Sequence, residues 1–176
     1  MHEQECRQDT YPLGMENGNI SDERITSSSE RIITYRAYQG RLHSKKGGAG
    51  KDSWVGGRKD TSPWLQVDLG SQFTRVTGVA TQGGNKRDWW VSEYKLLHSL
   101  DNEETSYFQF YVEEGQNVKS ILNLQIFDGN SDSNTVVRHN LTKVITARYI
   151  RFQPTVWHVL ASMRVELYGC FGNVSE

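Results

Sequence analysis

Short runs of period-two apolar alternation, punctuated by Gly, Asn, Asp and Ser, set the outer limit on what this chain can become. In "WLQVDLG", Leu65, Val67 and Leu69 alternate with Gln66 and Asp68; in "SMRVELYG", Met163, Val165 and Leu167 alternate with Arg164 and Glu166. Neighbours on a strand point to opposite faces, so both runs predict strands with one face buried and one in water. Runs rich in β-branched and aromatic residues predict further strands at Ile25–Glu30, Arg75–Thr81, Trp90–His98, Tyr107–Val112, Leu122–Phe127, Val136–Asn140 and Ala147–Gln153. Long helical periodicity and internal repeats are absent. The pattern is that of an all-β sandwich or barrel.

A chain of 176 residues can bury such a core as one domain. Lys and Arg number 20 against 21 Asp and Glu, a net charge of −1. That balance gives no global pull toward nucleic acid or anionic lipid, so a charged partner must be met by a local patch. No apolar run approaches the ~20 residues of a membrane span. The start, "MHEQECRQDT", lacks the apolar region of a signal peptide, and the chain reads as a mature or excised domain with an added Met1.

The two cysteines, Cys6 and Cys170, stand almost at the two ends. Position alone leaves two readings, a disulfide clasping the termini or two free buried thiols. A bridge closing so long a loop stabilises by roughly 5 kcal/mol in the chain-entropy model. Three sequons, at Asn19, Asn140 and Asn173, favour the secretory route and an extracellular location.

Several motifs invite chemistry and fail to support it. "GGAGKDS" has Lys45 where a phosphate-binding loop needs its first glycine, and Asp52 where it needs Ser or Thr. The Lys45–Ser53 stretch reads instead as a mobile surface loop. "DGNSDSNTVVRH" spaces Asp128, Asn130, Asp132 and Asn134 like the opening of a calcium loop, but Ser133 and His139 occupy the positions of the glycine and glutamate. Turns capped by Asp and Asn side chains are the simpler reading. The histidines show no metal-ligand spacing, and no nucleophile elbow is present. No metal, cofactor or catalytic activity is expected.

Five segments occur in the order found in discoidin domains, also called coagulation factor 5/8 type C domains: "PLGMENGNISDERITSSS", "WLQVDLG", "RVTGVATQGG", "ARYIRFQPTVWH" and "SMRVELYGC". The resemblance spans about Cys6 to Cys170, leaving residues 1–5 and 171–176 as tails or linkers. It implies an eight-stranded distorted jelly-roll sandwich, a terminal Cys6–Cys170 disulfide, and binding loops projecting from one end. It further implies a non-catalytic extracellular module that binds proteins, glycans or membranes. By the same resemblance, Arg31–Gln39, Gly83–Trp89 and "PTVWHVLASMR" are binding loops, and Asn130–Thr135 lies near them. Trp90 would be the inward aromatic of its strand, Trp89 an outward one, and Trp157 a packing residue, with His158, Val159 and Leu160 more exposed. The pocket for a C-terminal arginine in some receptor-type members needs an aspartate where Leu97 stands, which argues against that ligand. Asn102–Asn123 is longer than usual for the family.

The resulting expectation is a protein- or glycan-binding module of cell adhesion or receptor recognition, its surface made of Ile33, Tyr35, Arg36, Tyr38, Lys86, Arg87, Trp89 and His158. Aromatics would supply contact area, and Arg and Lys orientation. Two alternatives stand beside it. One is docking to anionic phospholipid through Ile32, Ile33 and Val159–Leu160. The other is a spacer role within a larger multidomain ectodomain.

Overall fold

The computed structural model describes residues 11–45, 52–85, 87–101, 107–113 and 125–171. Cys6, Lys86, Asn173 and most of the Asn102–Asn123 stretch lie outside them. Eleven strands are present among the described residues: β1 (Tyr11–Pro12), β2 (Ile25–Ser27), β3 (Trp54–Val55), β4 (Leu65–Asp68), β5 (Arg75–Gln82), β6 (Trp90–Ser99), β7 (Gln109–Phe110), β8 (Phe127–Asp128), β9 (Val137–Thr146), β10 (Tyr149–His158) and β11 (Ser162–Cys170). Two antiparallel sheets face each other. One runs β1-β11-β5-β9 with β3 added to β11; the other runs β2-β4-β10-β6-β7 with β8 added to β6. The all-β sandwich expected from sequence is the observed fold.

The space between the sheets is filled by Trp54, Leu65, Val67, Val76, Val79, Tyr94, Leu96, Phe127, Ile150, Phe152, Val165 and Leu167. Tyr94 stacks on Phe127 at 5.4 Å and meets Phe152 at 5.8 Å, an offset aromatic layer of the kind such rings prefer. Burial without a strong partner drives the Tyr94 hydroxyl well above the ordinary tyrosine range.

Two one-face expectations need correction. In β4, Gln66 is buried along with Leu65 and Val67, because it accepts two hydrogen bonds from Arg151 (3.0 and 2.8 Å). In β11, Arg164 and Glu166 are 2% and 0% exposed. This strand is paired on both sides, by β5 and by β1 and β3, and its second face is roofed by loops. Glu166 Oε1 accepts the backbone N–H groups of Gly14 (3.3 Å), Met15 (3.0 Å) and Leu167 (2.9 Å), and Oε2 that of Glu16 (2.9 Å). A buried carboxylate is tolerated because these donors replace its water.

Strand β10 carries the geometry toward the loop end. It pairs with β4 only as far as Phe152, so Pro154, which has no N–H to donate, sits where that edge is open. Bulges between Pro154 and Val156 and between Val156 and Trp157 then shift the register, leaving His158 opposite Trp90.

Candidate functional site

Four segments converge at one end of the sandwich: Arg31–Arg36, Gly83–Trp89, Gly129–Thr135 and His158–Ala161. The first is a tight turn, closed by the Tyr35 N–H on the Ile32 carbonyl (2.9 Å) and tied to β3 by the Arg31 N–H on the Val55 carbonyl (2.8 Å). The second is closed by the Gly84 N–H on the Trp89 carbonyl (2.8 Å). Gly83 is required there, since a Cβ would lie 2.8 Å from the carbonyls of both Asp132 and Trp89. In the third, Asp132 accepts the N–H groups of Asn134 (2.8 Å) and Thr135 (2.6 Å), the capped turn expected from sequence. The Thr135 hydroxyl and those two amides hold the Asp132 carboxyl below the ordinary aspartate value.

Buried polar groups stitch these segments together. Arg164 donates to the carbonyls of Gly83 (2.8 Å), Ser133 (2.7 Å) and Ser44 (3.3 Å), and to Asn134 Oδ1 (3.1 Å). Burial pulls its pKa below the ordinary arginine value, with the Asp52 charge acting in the opposite direction. Asn130 Nδ2 donates to the Thr81 and Thr135 carbonyls (3.0 and 2.8 Å), and the Ser133 hydroxyl meets the Arg87 carbonyl. Asn85 Nδ2 reaches Asp52 Oδ2 at 2.9 Å. Asp52 and Ser53 are therefore buried members of the scaffold, not residues of a free surface loop.

On this base stands a small apolar cluster of Tyr35, Val55 and Leu160, with Trp89 packed against it. Tyr35 and Trp89 meet edge to face at 5.8 Å, and the Arg31 and Arg87 guanidinium groups lie 5.0 and 5.5 Å from the indole centroid. Beyond the cluster, Ile32 (52% exposed), Ile33 (70%) and Val159 (61%) present apolar side chains to water. Val159 has φ 60, and the Leu160 N–H bonds the His158 carbonyl across it at 2.7 Å. That is a γ-turn of the rare positive-φ hand, strained for a β-branched residue. Alongside it, a hollow of about 260 Å³ is lined by Gly56, Arg58, Pro63, Trp157, Val159 and Leu160.

The paired tryptophans divide their roles in the opposite sense to the expectation. Val91 is the inward residue at the start of β6, so Trp90 points away from the core and stacks on His158, with ring centroids 4.2 Å apart. Trp89 has the parity of Val91 and turns toward Tyr35 and Leu160. Both indoles are half-buried.

Of the eight residues picked from sequence, Ile33, Arg36, Arg87, Trp89 and His158 lie at this end, His158 within 3.3 Å of Asp88. Tyr35 is only 4% exposed and supports the surface instead of forming it, and Leu160 is likewise buried. Tyr38 is half-buried and lines a different cleft on the flank. Lys86 lies outside the described residues. The sequence reading missed Arg164, Asn130 and Asp52 because polar residues in alternating or loop contexts default to solvent. The one available signal was the Gly83–Gly84 pair, which marks a close backbone approach.

A family model described as F5/8 type C domain matches residues 24–167. Rat lactadherin is 35% identical over 170 residues, covering 90% of this chain and 36% of the relative. Human retinoschisin is 32% identical over 164 residues, covering 90% and 68%. Among solved structures, recombinant discoidin II of Dictyostelium discoideum aligns with TM-score 0.67 at 25% identity, over 85% of this chain and 56% of that one. A family 32 carbohydrate-binding module of Clostridium perfringens NanJ, in complex with galactose, aligns with TM-score 0.55 at 16% identity over 85% and 96%, a likeness of fold. The chain spans about a third of the lactadherins it matches.

Proposed function

This chain belongs to the F5/8 type C domain family, and from that premise we propose that it is a non-catalytic extracellular module that captures a protein or glycan ligand with the loops at one end of its sandwich. The observation that carries the reading is the tip itself. Ile32, Ile33 and Val159 stand exposed beside Arg31 and Arg87, over an indole backed by a packed cluster. Exposed apolar side chains next to cations and a rigid aromatic have the composition of interface hot spots. The family's binding modules support the reading. The proposal includes a Cys6–Cys170 clasp, since Cys170 is not a free thiol, and glycans on the exposed Asn19 and Asn140 and on Asn173. The domain would run from Cys6 to Cys170 within a longer multidomain protein.

The test is a binding screen of the secreted chain against glycans, cell-surface proteins and vesicles, repeated with I33D and R87A. Loss of the hit in both variants, with unchanged melting temperature, is the expected result. A hit that ignores both overturns the tip assignment.

The same exposed side chains favour one second reading, docking to anionic membrane. Ile32, Ile33 and Val159 would insert while Arg31, Arg36 and Arg87 meet headgroups, at ~1 kcal/mol per basic residue. Salt-sensitive co-sedimentation with phosphatidylserine vesicles selects it, and absence of binding at any salt rules it out. A spacer role would leave the isolated chain without a ligand in every arm of the screen.

A further inference from the structure

We propose that the cleft on the flank of the sandwich, between Glu16–Asp22 and Tyr38–Lys45, is a second binding site, and that it takes a neutral saccharide. The cleft has a volume of about 660 Å³, within the range of small-ligand sites. It shares no residue with the tip, and the inference does not rest on the reading given to the tip.

Charge balance sets the ligand class. Glu16 and Asp22 face Arg41 and Lys45 across the cleft, with His43 beside them. Among the described lining residues the fixed charges cancel, which disfavours a phosphate or a metal cation. Each acid is already engaged by one oxygen: Asp22 Oδ1 with Arg41 Nη2 at 2.5 Å, and Glu16 Oε1 with His43 Nδ1 at 2.9 Å. The second oxygen of each is left to accept. Gln39 spends its Oε1 on the Arg36 N–H (3.0 Å), which leaves its amide donors. Acceptors interleaved with donors match a ligand whose hydroxyls both donate and accept. Tyr38, half-buried against the core, adds an aromatic surface on which the C–H face of a sugar ring can rest.

The walls are fixed in advance, so little ordering is needed on binding. Glu166 holds the Gly14–Glu16 wall by its backbone N–H groups. The opposite wall is tied to β11 by hydrogen bonds between Leu42 and Val165 (3.0 Å) and between Val165 and Gly40 (2.8 Å). Arg41 joins the walls by donating to the Met15 carbonyl at 2.9 Å. His43 is held at φ 57 while its N–H bonds Gln82 Oε1 at 2.8 Å.

The sugar has two conceivable sources. Asn19, an exposed sequon residue, stands between the lining residues Gly18 and Ser21, so the chain's own glycan would begin at the rim. The other source is a glycan on a partner. The probe is N,N′-diacetylchitobiose, followed by ligand-observed saturation-transfer NMR on the secreted chain and on its N19Q variant. Binding to N19Q, weakened roughly tenfold or more by adding E16A and D22A, is the expected result. Both acids are exposed, and an unchanged melting temperature certifies the fold; Y38A gives an independent second lesion. Binding to N19Q with none to the glycosylated chain assigns the chain's own glycan as occupant. Binding to both assigns an external glycan. No transfer to N19Q, or transfer indifferent to E16A/D22A and to Y38A, overturns the site. Transfer abolished instead by I33D moves the saccharide to the tip and overturns the cleft while leaving the tip reading standing.

Discussion

Arg164 and Glu166 stand two residues apart on β11, both withdrawn from water and both satisfied by backbone groups of opposite polarity. The arginine gathers carbonyls from residues 44, 83 and 133, three loops distant in sequence. The glutamate gathers N–H groups from one continuous turn, Gly14–Glu16, and from its own neighbour Leu167. Arg164 therefore ties two loops of the tip to each other and to the Ser44 end of the flank cleft, beside direct loop contacts such as Ser133 with Arg87 and Tyr35 with Trp89, whereas the Gly14–Glu16 wall of that cleft is a local turn held by one acceptor. A surface built from distant loops can vary each loop independently, provided the donor beneath them stays. A surface built on one turn is cheaper to order and harder to diversify.

The strongest way to break that contrast is to remove the two charges separately. R164M leaves three carbonyls and Asn134 Oδ1 without their donor inside the protein. Each group left wanting costs about 1–3 kcal/mol, with partial relief from entering water, so a loss of about 4 kcal/mol is expected. For a domain of this size the melting temperature should fall by roughly 8–16 °C. E166Q keeps one acceptor oxygen and sacrifices one charged hydrogen bond, a loss of about 1.5–3 kcal/mol. Tip binding should vanish in R164M and survive in E166Q. Thermal melts together with the tip-binding screen decide it; equal losses of binding would mean that the tip is not assembled through Arg164.

A smaller effect separates the neighbouring indoles. W89A should open the Tyr35–Val55–Leu160 cluster and release Arg31 and Arg87, costing about 2–3 kcal/mol, somewhat below a fully buried tryptophan. W90A removes an outer stack with His158, an interaction of about 0.5–1.5 kcal/mol. Denaturant titration of the two variants measures both. A larger loss in W90A would restore Trp90 to the core and reverse the parity argued from Val91.

How far the sequence could lead is visible in these same residues. Alternation in "WLQVDLG" and "SMRVELYG" located β4 and β11, and β-branched and aromatic runs located nearly all of β5 and β6 and the first halves of β9 and β10, because burial writes itself directly into residue type. Strand ends were poorer: β9 and β10 both run further than expected, into Thr146 and His158, where pairing partners decide the length. The roles of Arg164 and Glu166 were illegible, since the pattern of a half-buried strand is the same whether the polar face meets water or meets loop backbone. The order of Trp89 and Trp90 failed for a related reason. Two equal side chains carry no phase, and only Val91 fixes which one turns inward. The apolar tip was legible through the family resemblance, which pointed to Ile32, Ile33, Val159 and Leu160; the first three are exposed, and Leu160 is buried beneath them. Tyr38 went astray because its loop serves two surfaces, with Tyr35 beneath one and Tyr38 in the other.

The smallest effect concerns strain. Among the described residues two non-glycines hold a positive φ, Val159 and His43, one at each proposed site. They should respond differently. A β-branched residue is a poor occupant of the left-handed region, at roughly 1–2 kcal/mol, and glycine there forfeits about 0.5–1 kcal/mol through its freer unfolded chain. V159G should therefore gain up to about 1 kcal/mol, a rise of roughly 2–4 °C in melting temperature. It should also weaken capture at the tip, because it deletes a side chain that is 61% exposed in the free molecule. Histidine tolerates the left-handed region better, and H43G also forfeits the contact with Glu16, so no gain is expected there. Stability gained with binding lost, at Val159 alone, is the signature of strain retained for use. A drop in melting temperature for V159G would mean that the valine packs the tip in the free molecule, and the γ-turn would then be a consequence of that packing, not a stored cost.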